Sequence, residues 1–236
     1  MSHTNPSSPA ARDPIRASRL LRGLLPDGVV AFEALAPVGP ETLAEEEARC
    51  IARAAAKRVA QFATGRACAR RALAELAIHG FALRVGADRE PLWPAGIAGS
   101  ITHTDGFCAA AVARRTVHAS LGIDAERRDA VHRRLWRQIA TPAELAVLEA
   151  LAHDDAAQMA AAVFSAKEAF FKCQFPLTRE WLNFSDVTVT AGASGLSVEP
   201  TRRLALEALA APPWPVRYRF SDSLVVTAMS LPAPAA

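Results

Sequence analysis

Met159, Val163, Ala166, Phe170 and Cys173 recur at spacings of four and three, the period of one face of an α-helix. The stripe predicts a helix over residues 154–173 with one buried side. Just before it, "TPAELAVLEAL" reads as a shorter helix, with Thr141 as N-cap, Pro142 at the first helical position and Glu144 closing a capping box. After it, "DVTVTA", "GLSVEP", "VRYRF" and "SLVVTAMSL" alternate or are β-branched and carry turn residues. They are expected to close the chain as antiparallel strands.

The first half mixes the same elements. "GVVAFEAL" reads as a strand, and "PETLAEEEARCIARAAAKRVAQFATGRACARRALAELAIHG" as a long helical stretch broken near Gly65. Thr42 with Glu45 makes a capping box at its start, and Gly80 marks its stop. "REPLWPAGIAGSITHTDG" is loop-like in its prolines and glycines, then "FCAAAVAR" and "HASLGIDAE" read as strands. The expected fold class is α+β. A flexible tail (1–15) precedes an N-terminal lobe (16–118) and a C-terminal lobe (119–236), without a clear internal repeat and with ligands placed between the lobes.

The 51% hydrophobic share supplies a sizeable core, and 27 Lys+Arg against 24 Asp+Glu give a net charge of +3, too small to imply nucleic-acid binding by itself. Cys50, Cys68, Cys108 and Cys173 show neither metal-ligand spacing nor a disulfide framework, and read as reduced, buried thiols. The Pro- and Ser-rich start has no apolar core, and no run of about 18 apolar residues follows. A cytoplasmic protein with no membrane or nucleic-acid partner is expected.

Asp124 and Glu126 fall on one face of the strand in "LGIDAERRD". Two carboxylates so placed repel until a cation, hydrogen bonds or water relieve them. They stand either at a wetted strand end, paired with Arg127 and Arg128, or beside a divalent metal. In "VFSAKEAFFKC", Ser165, Glu168 and Lys172 share a stripe beside the apolar one. Glu168 and Lys172 could also form an ordinary surface pair, or Ser165 and Glu168 a capping box for a shorter helix; against the box, the apolar stripe runs unbroken through Ser165 and places it in the interior. In "GSITH", Gly99 and Ser100 precede His103 in a loop open to an anion, unless His103 is merely structural. Arg58 and Arg66 lie about 80° apart on their helix, with Arg70 a turn beyond, and could share a phosphate-facing side or a solvated one.

Taken in order, "GRACARRAL", "REPLWPAGIAGSITH", "LGIDAE" and "FSAKEAFFK" resemble the successive motifs of 4'-phosphopantetheinyl transferases, above all the branch of enterobactin-synthase-activating and actinobacterial enzymes. The likeness spans about residues 45–190 and is specific through the combination of motifs. It implies a pseudo-dimer of two similar α/β lobes with coenzyme A and Mg²⁺ in the cleft between them. The implied reaction moves the phosphopantetheine arm onto a carrier-domain serine and releases adenosine 3',5'-bisphosphate.

By the same likeness, Asp124, Glu126 and Glu168 resemble the metal-holding carboxylates. Mn²⁺ would accept the same oxygens as Mg²⁺. Glu168, or a water it orients, serves as general base unless Glu126 does. Lys172 resembles the lysine at the transferred phosphate, with Lys167 in the same motif. His103, with Ser100 and Thr102 near it, resembles the histidine at a phosphate of coenzyme A. Arg58 and Arg66 resemble basic positions at the 3'-phosphate and diphosphate, and Arg89 adds a contact.

"RRDAVHRRLWRQIA" matches no motif. In the family this region helps meet the carrier, and its arginines with Leu135 and Trp136 would suit an acidic, amphipathic carrier helix. The expected partners are acyl, aryl or peptidyl carrier domains of fatty-acid, polyketide or non-ribosomal peptide synthases, siderophore assembly included, acted on by a monomer. Two other readings are a non-catalytic module that binds coenzyme A or carrier proteins, and a nucleic-acid binder using the Arg-rich helix. The four charged residues argue against the first, and the single tyrosine against the second.

Overall fold

A computed structural model describes residues 13–192, 195–208 and 210–234 of the chain. One antiparallel sheet is formed by β1 (Ile15–Ala17), β2 (Val30–Ala34), β3 (Ile97–Thr104) and β4 (Phe107–Arg114), in the order β1-β2-β4-β3. A second is formed by β5 (His118–Arg127), β6 (Val187–Gly192), β7 (Gly195–Pro200), β8 (Trp214–Phe220) and β9 (Leu224–Pro232), in the order β5-β9-β8-β7-β6. Each sheet is backed by a long helix: α2 (Ala56–Glu75) on the first and α5 (His153–Thr178) on the second, with α1 (Glu45–Ile51), α3 (Trp136–Ile139) and α4 (Pro142–Ala150) around them. The result is a mixed α/β protein of two lobes.

The stripe on α5 is buried as its period requires. Val163, Ala166, Phe170 and Cys173 join Val198, Trp214, Val216 and Val225 in the core of the second lobe. Phe170 stacks on Trp214 with ring centroids 5.6 Å apart, and burying one such aromatic contributes about 1.5–3 kcal/mol. In the first lobe Phe32, Cys68, Ala72, Leu73, Leu83 and Val112 form a corresponding core. A third cluster joins the lobes: Leu121, Ile123 and Ala125 of β5 pack with Ala98, Ala109, Ala111 and Val226.

Several local expectations are corrected. The first helical stretch breaks between Ile51 and Ala56, not at Gly65, which lies inside α2. A Cβ at Gly65 would come to 2.9 Å from Ile101 Cγ2, so this glycine admits β3 rather than bending the helix. At the start of α1 the Glu47 carboxylate, not Glu45, accepts from the Ala44 N–H (3.0 Å), while Thr42 ends a separate short turn. α2 stops at Glu75, five residues before Gly80. The segment containing "GSITH" is strand β3, because its backbone pairs with β4 throughout. Ile15, the last residue of the expected tail, is buried at the start of β1; residues 1–12 lie outside the described ones. Cys50 is exposed, while Cys68, Cys108 and Cys173 are buried, all four as free thiols. Burial pushes the Cys68 and Cys173 thiols up to about 12 and Cys108 up to about 11. No helix among the described residues is long and apolar enough to cross a membrane.

Candidate active site

The two sheets meet through β3 and β5, an edge strand of each. An exposed edge leaves backbone donors unpaired. Here the Ile123 N–H donates to Ser100 Oγ (3.1 Å) and the Ala125 N–H to Thr102 Oγ1 (3.0 Å). Side-chain hydroxyls thus satisfy β5 where a further backbone ladder would have merged the sheets, and a cleft remains between the lobes.

Gly122 then brings the long helix against that strand. A Cβ there would lie 1.9 Å from the Ala169 carbonyl oxygen, so only glycine permits the approach. Ser120 Oγ fixes it further by donating to the Cys173 carbonyl at 2.6 Å. The face of β5 that carries Asp124 and Glu126 consequently lies along the edge of α5 that carries Glu168 and Lys172.

Asp124 is 3% exposed. Its Oδ1 accepts from Lys172 Nζ (2.6 Å) and Thr102 Oγ1 (3.2 Å), while its buried Oδ2 has no hydrogen-bond partner. A bare buried carboxylate oxygen is costly, by about 1–3 kcal/mol or more. Glu126 is pushed up to about 7, by burial first and then by the charges of Asp124 and Glu168, against the pull of Lys172. Burial also raises Glu168, with Lys172 opposing and Asp124 adding to the shift. Three acids with one lysine among them form an edge short of positive charge, and all their free donor atoms are hard oxygens suited to a magnesium-like ion. Among the described residues, no three His, Cys, Asp or Glu side chains already close into a metal-ligating group.

This edge borders a cavity of about 750 Å³, which Asp124, Glu126, Glu168, Lys172, Ser100, Thr102, His103, Arg58, Arg66 and Arg89 all line. Arg58 Nη1 lies 2.6 Å from His103 Nε2, so that nitrogen is the acceptor and the ring is neutral. Burial first, then Arg58 and Lys172, push His103 down to about 4, against Asp124. Arg66 is 6% exposed; its Nε donates to the Leu83 carbonyl and its guanidinium lies 3.8 Å from the Phe62 ring centroid. Burial lowers it to about 10, so it stays charged at neutral pH. Together these groups can take a polyanion at one end and a cation-bridged phosphate at the other.

Several expectations fail at this site. Lys167 does not reach the cavity: its ammonium donates to Glu144 (2.7 Å) and to the carbonyls of Ile139 and Phe184 (both 2.8 Å), with 2% of the side chain exposed. Arg70 turns away to Glu47 (2.6 Å) and the Thr42 carbonyl. Arg127 pairs with Asp129, and Arg128 binds the Ser221 carbonyl and Gln158, so neither neutralises the acidic pair. Ser165, by contrast, is interior as expected, bonded to Thr227. Trp136 is buried, with its Nε1 donating to the Val131 carbonyl, so it is no exposed anchor for a partner. Sequence reasoning missed Trp93, Arg115, Phe164, Phe171 and Arg179, which also line the cavity. Trp93 was marked only by its place in "LWP"; it lies over β3 because Gly99 has no side chain, a Cβ there meeting the indole at 2.4 Å.

Comparison with known proteins shows the family. A family model for the 4'-phosphopantetheinyl transferase N-terminal domain matches residues 45–113, and one for the 4'-phosphopantetheinyl transferase superfamily matches residues 120–210. The 4'-phosphopantetheinyl transferase PptT of Mycobacterium tuberculosis is 38% identical over 197 residues, covering 79% of this chain and 85% of the relative. The 4'-phosphopantetheinyl transferase Svp of Streptomyces mobaraensis is 37% identical over 241 residues, covering 92% and 91%. A holo-(acyl-carrier-protein) synthase from Bacillus anthracis, solved in complex with CoA (3',5'-ADP), overlays on 50% of this chain and 98% of its own with a TM-score of 0.38 and 19% identity, too distant a likeness to bear weight. With both halves matched and relatives aligned along most of its length, the chain belongs to the 4'-phosphopantetheinyl transferases.

Proposed function

We propose that coenzyme A lies in the cleft between the lobes and that its phosphopantetheine arm is passed there to a serine of a carrier domain. Arg58, Arg66, Arg89 and His103 hold the phosphates of the nucleotide end, where guanidinium groups engage oxygens bidentately. Ser100 and Thr102 shape the cleft through the strand they fasten. The neutral His103 offers a hydrogen bond, and Arg58 beside it supplies the charge.

At the other end, Asp124, Glu126 and Glu168 would hold Mg²⁺ or Mn²⁺, with phosphate oxygens and water completing the shell. Such an ion would supply charge neutralisation at the diphosphate. The fit rests on the bare Asp124 Oδ2 and on two neighbouring acids held above their ordinary range. Glu168, directly or through a water, takes the proton of the serine hydroxyl, with Glu126 as the other candidate base. The hydroxyl oxygen bonds to the phosphorus of the pantetheine phosphate as that phosphorus loses its bridging oxygen. The bridging oxygen leaves on adenosine 3',5'-bisphosphate. Lys172 stabilises the charge that builds on the transferred phosphate.

The observation that carries this reading is the placing of the three acids and Lys172 along one edge of the same cavity that Arg58, Arg66 and His103 line. Mass measurement of an apo carrier domain incubated with coenzyme A and Mg²⁺ tests it, and a gain of one phosphopantetheine is expected. Glu168→Gln should abolish the gain while coenzyme A still binds. Near-normal turnover by that variant would remove Glu168 as base and as ligand. A pure coenzyme A or carrier binder is disfavoured, because binding alone gives no reason to collect uncompensated acids.

We read the two lobes as dividing between Arg114 and His118, where sheet membership changes, so His118 goes with the second lobe and Ile15 with the first, one residue from the expected bounds of 16–118 and 119–236. Both walls of the cleft then come from one chain, consistent with a monomer. Arg133, Arg134 and Arg137 remain exposed around the buried Trp136, which suits an acidic carrier helix. Arg133→Glu with Arg134→Glu should raise KM for the carrier at least tenfold more than KM for coenzyme A; equal effects would exclude this surface.

A further inference from the structure

The two lobes are also joined by an ion pair at the cavity wall. Glu90 sits in a tight turn of the first lobe, and Arg179 is the C-cap of α5 in the second. Arg179 Nη1 stands 2.6 Å from Glu90 Oε1 and 3.6 Å from Asp88 Oδ2, and all three residues line the cavity. Neither end is a loose side chain. Glu90 Oε2 accepts from the Asp88 N–H (3.0 Å), and the Gly86 N–H donates to the Glu90 carbonyl (2.8 Å), so the carboxylate is held by its own turn. The Arg179 N–H donates to the Phe175 carbonyl (2.9 Å), and its guanidinium lies 5.4 Å from the Phe175 ring centroid.

The backbone points the same way. Among the described residues three non-glycine residues have positive φ: Ala77, Arg89 (68°) and Arg179 (57°). Left-handed backbone is unfavourable for residues with a side chain and persists where its surroundings impose it. Two of the three flank this one contact, Arg89 being the neighbour of Glu90. The left-handed turn at Arg179 is a common way for a helix to end, and here it leaves the guanidinium facing Glu90 across the cleft.

We propose that Glu90 and Arg179 form a clasp between the lobes that sets how fast coenzyme A enters the cleft and adenosine 3',5'-bisphosphate leaves it. This rests on the reading of the cleft as the coenzyme A site. Arg179 is 55% exposed and Glu90 16%, so solvent weakens the pair. A weak tie suits a contact that must open in every turnover, and neither residue takes part in the chemistry.

Stopped-flow binding of fluorescently labelled coenzyme A to the full chain tests the clasp, using wild type, Glu90→Gln, Arg179→Gln and the double variant. Association and dissociation rate constants should each rise about two- to fivefold in either single variant, the range expected for a partly exposed ion pair. The double variant should rise no further, and the difference from wild type should shrink at about 1 M salt. Unchanged exchange rates in both single variants, or effects that add in the double, overturn the clasp. If Glu90→Gln loosens its turn and lowers Tm, Arg179→Gln decides from the opposite side. His103→Ala separates the clasp from the coenzyme A site. Loss of binding there with wild-type exchange in the clasp variants removes the clasp alone, whereas unaltered binding removes the cleft as the coenzyme A site and the clasp with it.

Discussion

Lys167 and Lys172 lie five residues apart on α5, and each holds a carboxylate close: Glu144 at 2.7 Å and Asp124 at 2.6 Å. Five residues turn the helix by about 140°, so the two lysines look out on different sides. The first pair is complete. Besides Lys167, Glu144 accepts from the backbone N–H groups of Thr141 and Val189, and Lys167 donates to two carbonyls as well. The second pair is incomplete. Asp124 keeps an oxygen without a partner, Glu126 and Glu168 stand near with raised affinity for protons, and Lys172 is 28% exposed to the cavity. Proximity of opposite charges therefore does not distinguish a site from a strut; the polar atoms left unsatisfied do.

The largest expected effect breaks the complete pair. Lys167→Met leaves Glu144 charged in the core without its counter-ion, which should cost about 3–5 kcal/mol of stability in urea unfolding. A loss below about 1 kcal/mol would mean that the backbone donors alone suffice and that the pair is not a strut. Next comes Asp124→Asn in the incomplete pair, which keeps the shape and removes a charge. Transfer should fall by about 10²–10³-fold, measured by single turnover, while stability moves by less than about 1 kcal/mol because repulsion with Glu126 and Glu168 falls as the contact with Lys172 weakens. Stability lost on the scale of Lys167→Met would erase the distinction.

The smallest effect sharpens the comparison at the far end of the cavity, where the charged Arg58 guanidinium donates to the neutral His103 ring. The folded state lowers His103 to about 4 from an ordinary value of 6.5. The folded chain thus binds fewer protons than the unfolded one between those values. The contribution of His103 to stability is fully present above about pH 6.5 and is lost as pH falls towards 4. In NMR titrations its ring signals should not move between pH 8 and 5, and Arg58→Gln should bring the transition upward. A ring that titrates near 6.5 in the unaltered chain would show that burial and Arg58 do not govern it.

Much of the scaffold was legible in local pattern. The period of Val163, Ala166, Phe170 and Cys173 marked α5, the box of Thr141 and Glu144 marked the start of α4, and alternation marked the closing strands. These signals act within a few residues, so a chain reports them directly. The site was legible only in part. Its acids were found through their spacing and a family likeness, but Lys167 was assigned to it because neighbours in a motif are read together, although consecutive helical residues point about 100° apart. "GSITH" was read as a loop from its composition, and only pairing with β4 makes it a strand.

The sequence by itself determined α4, α5 and the closing strands, which face of α5 is apolar, and that Asp124 and Glu126 share a side of β5. Tertiary structure alone decided that Ser100 and Thr102 fasten two sheet edges together, that Gly122 lets α5 lie against β5, and that Asp124 meets a lysine 48 positions further along. The physical reason is range. Backbone conformation and side-chain period follow from near neighbours, whereas the partner of a charge is whatever packing brings within about 3 Å of it, and that depends on the whole chain.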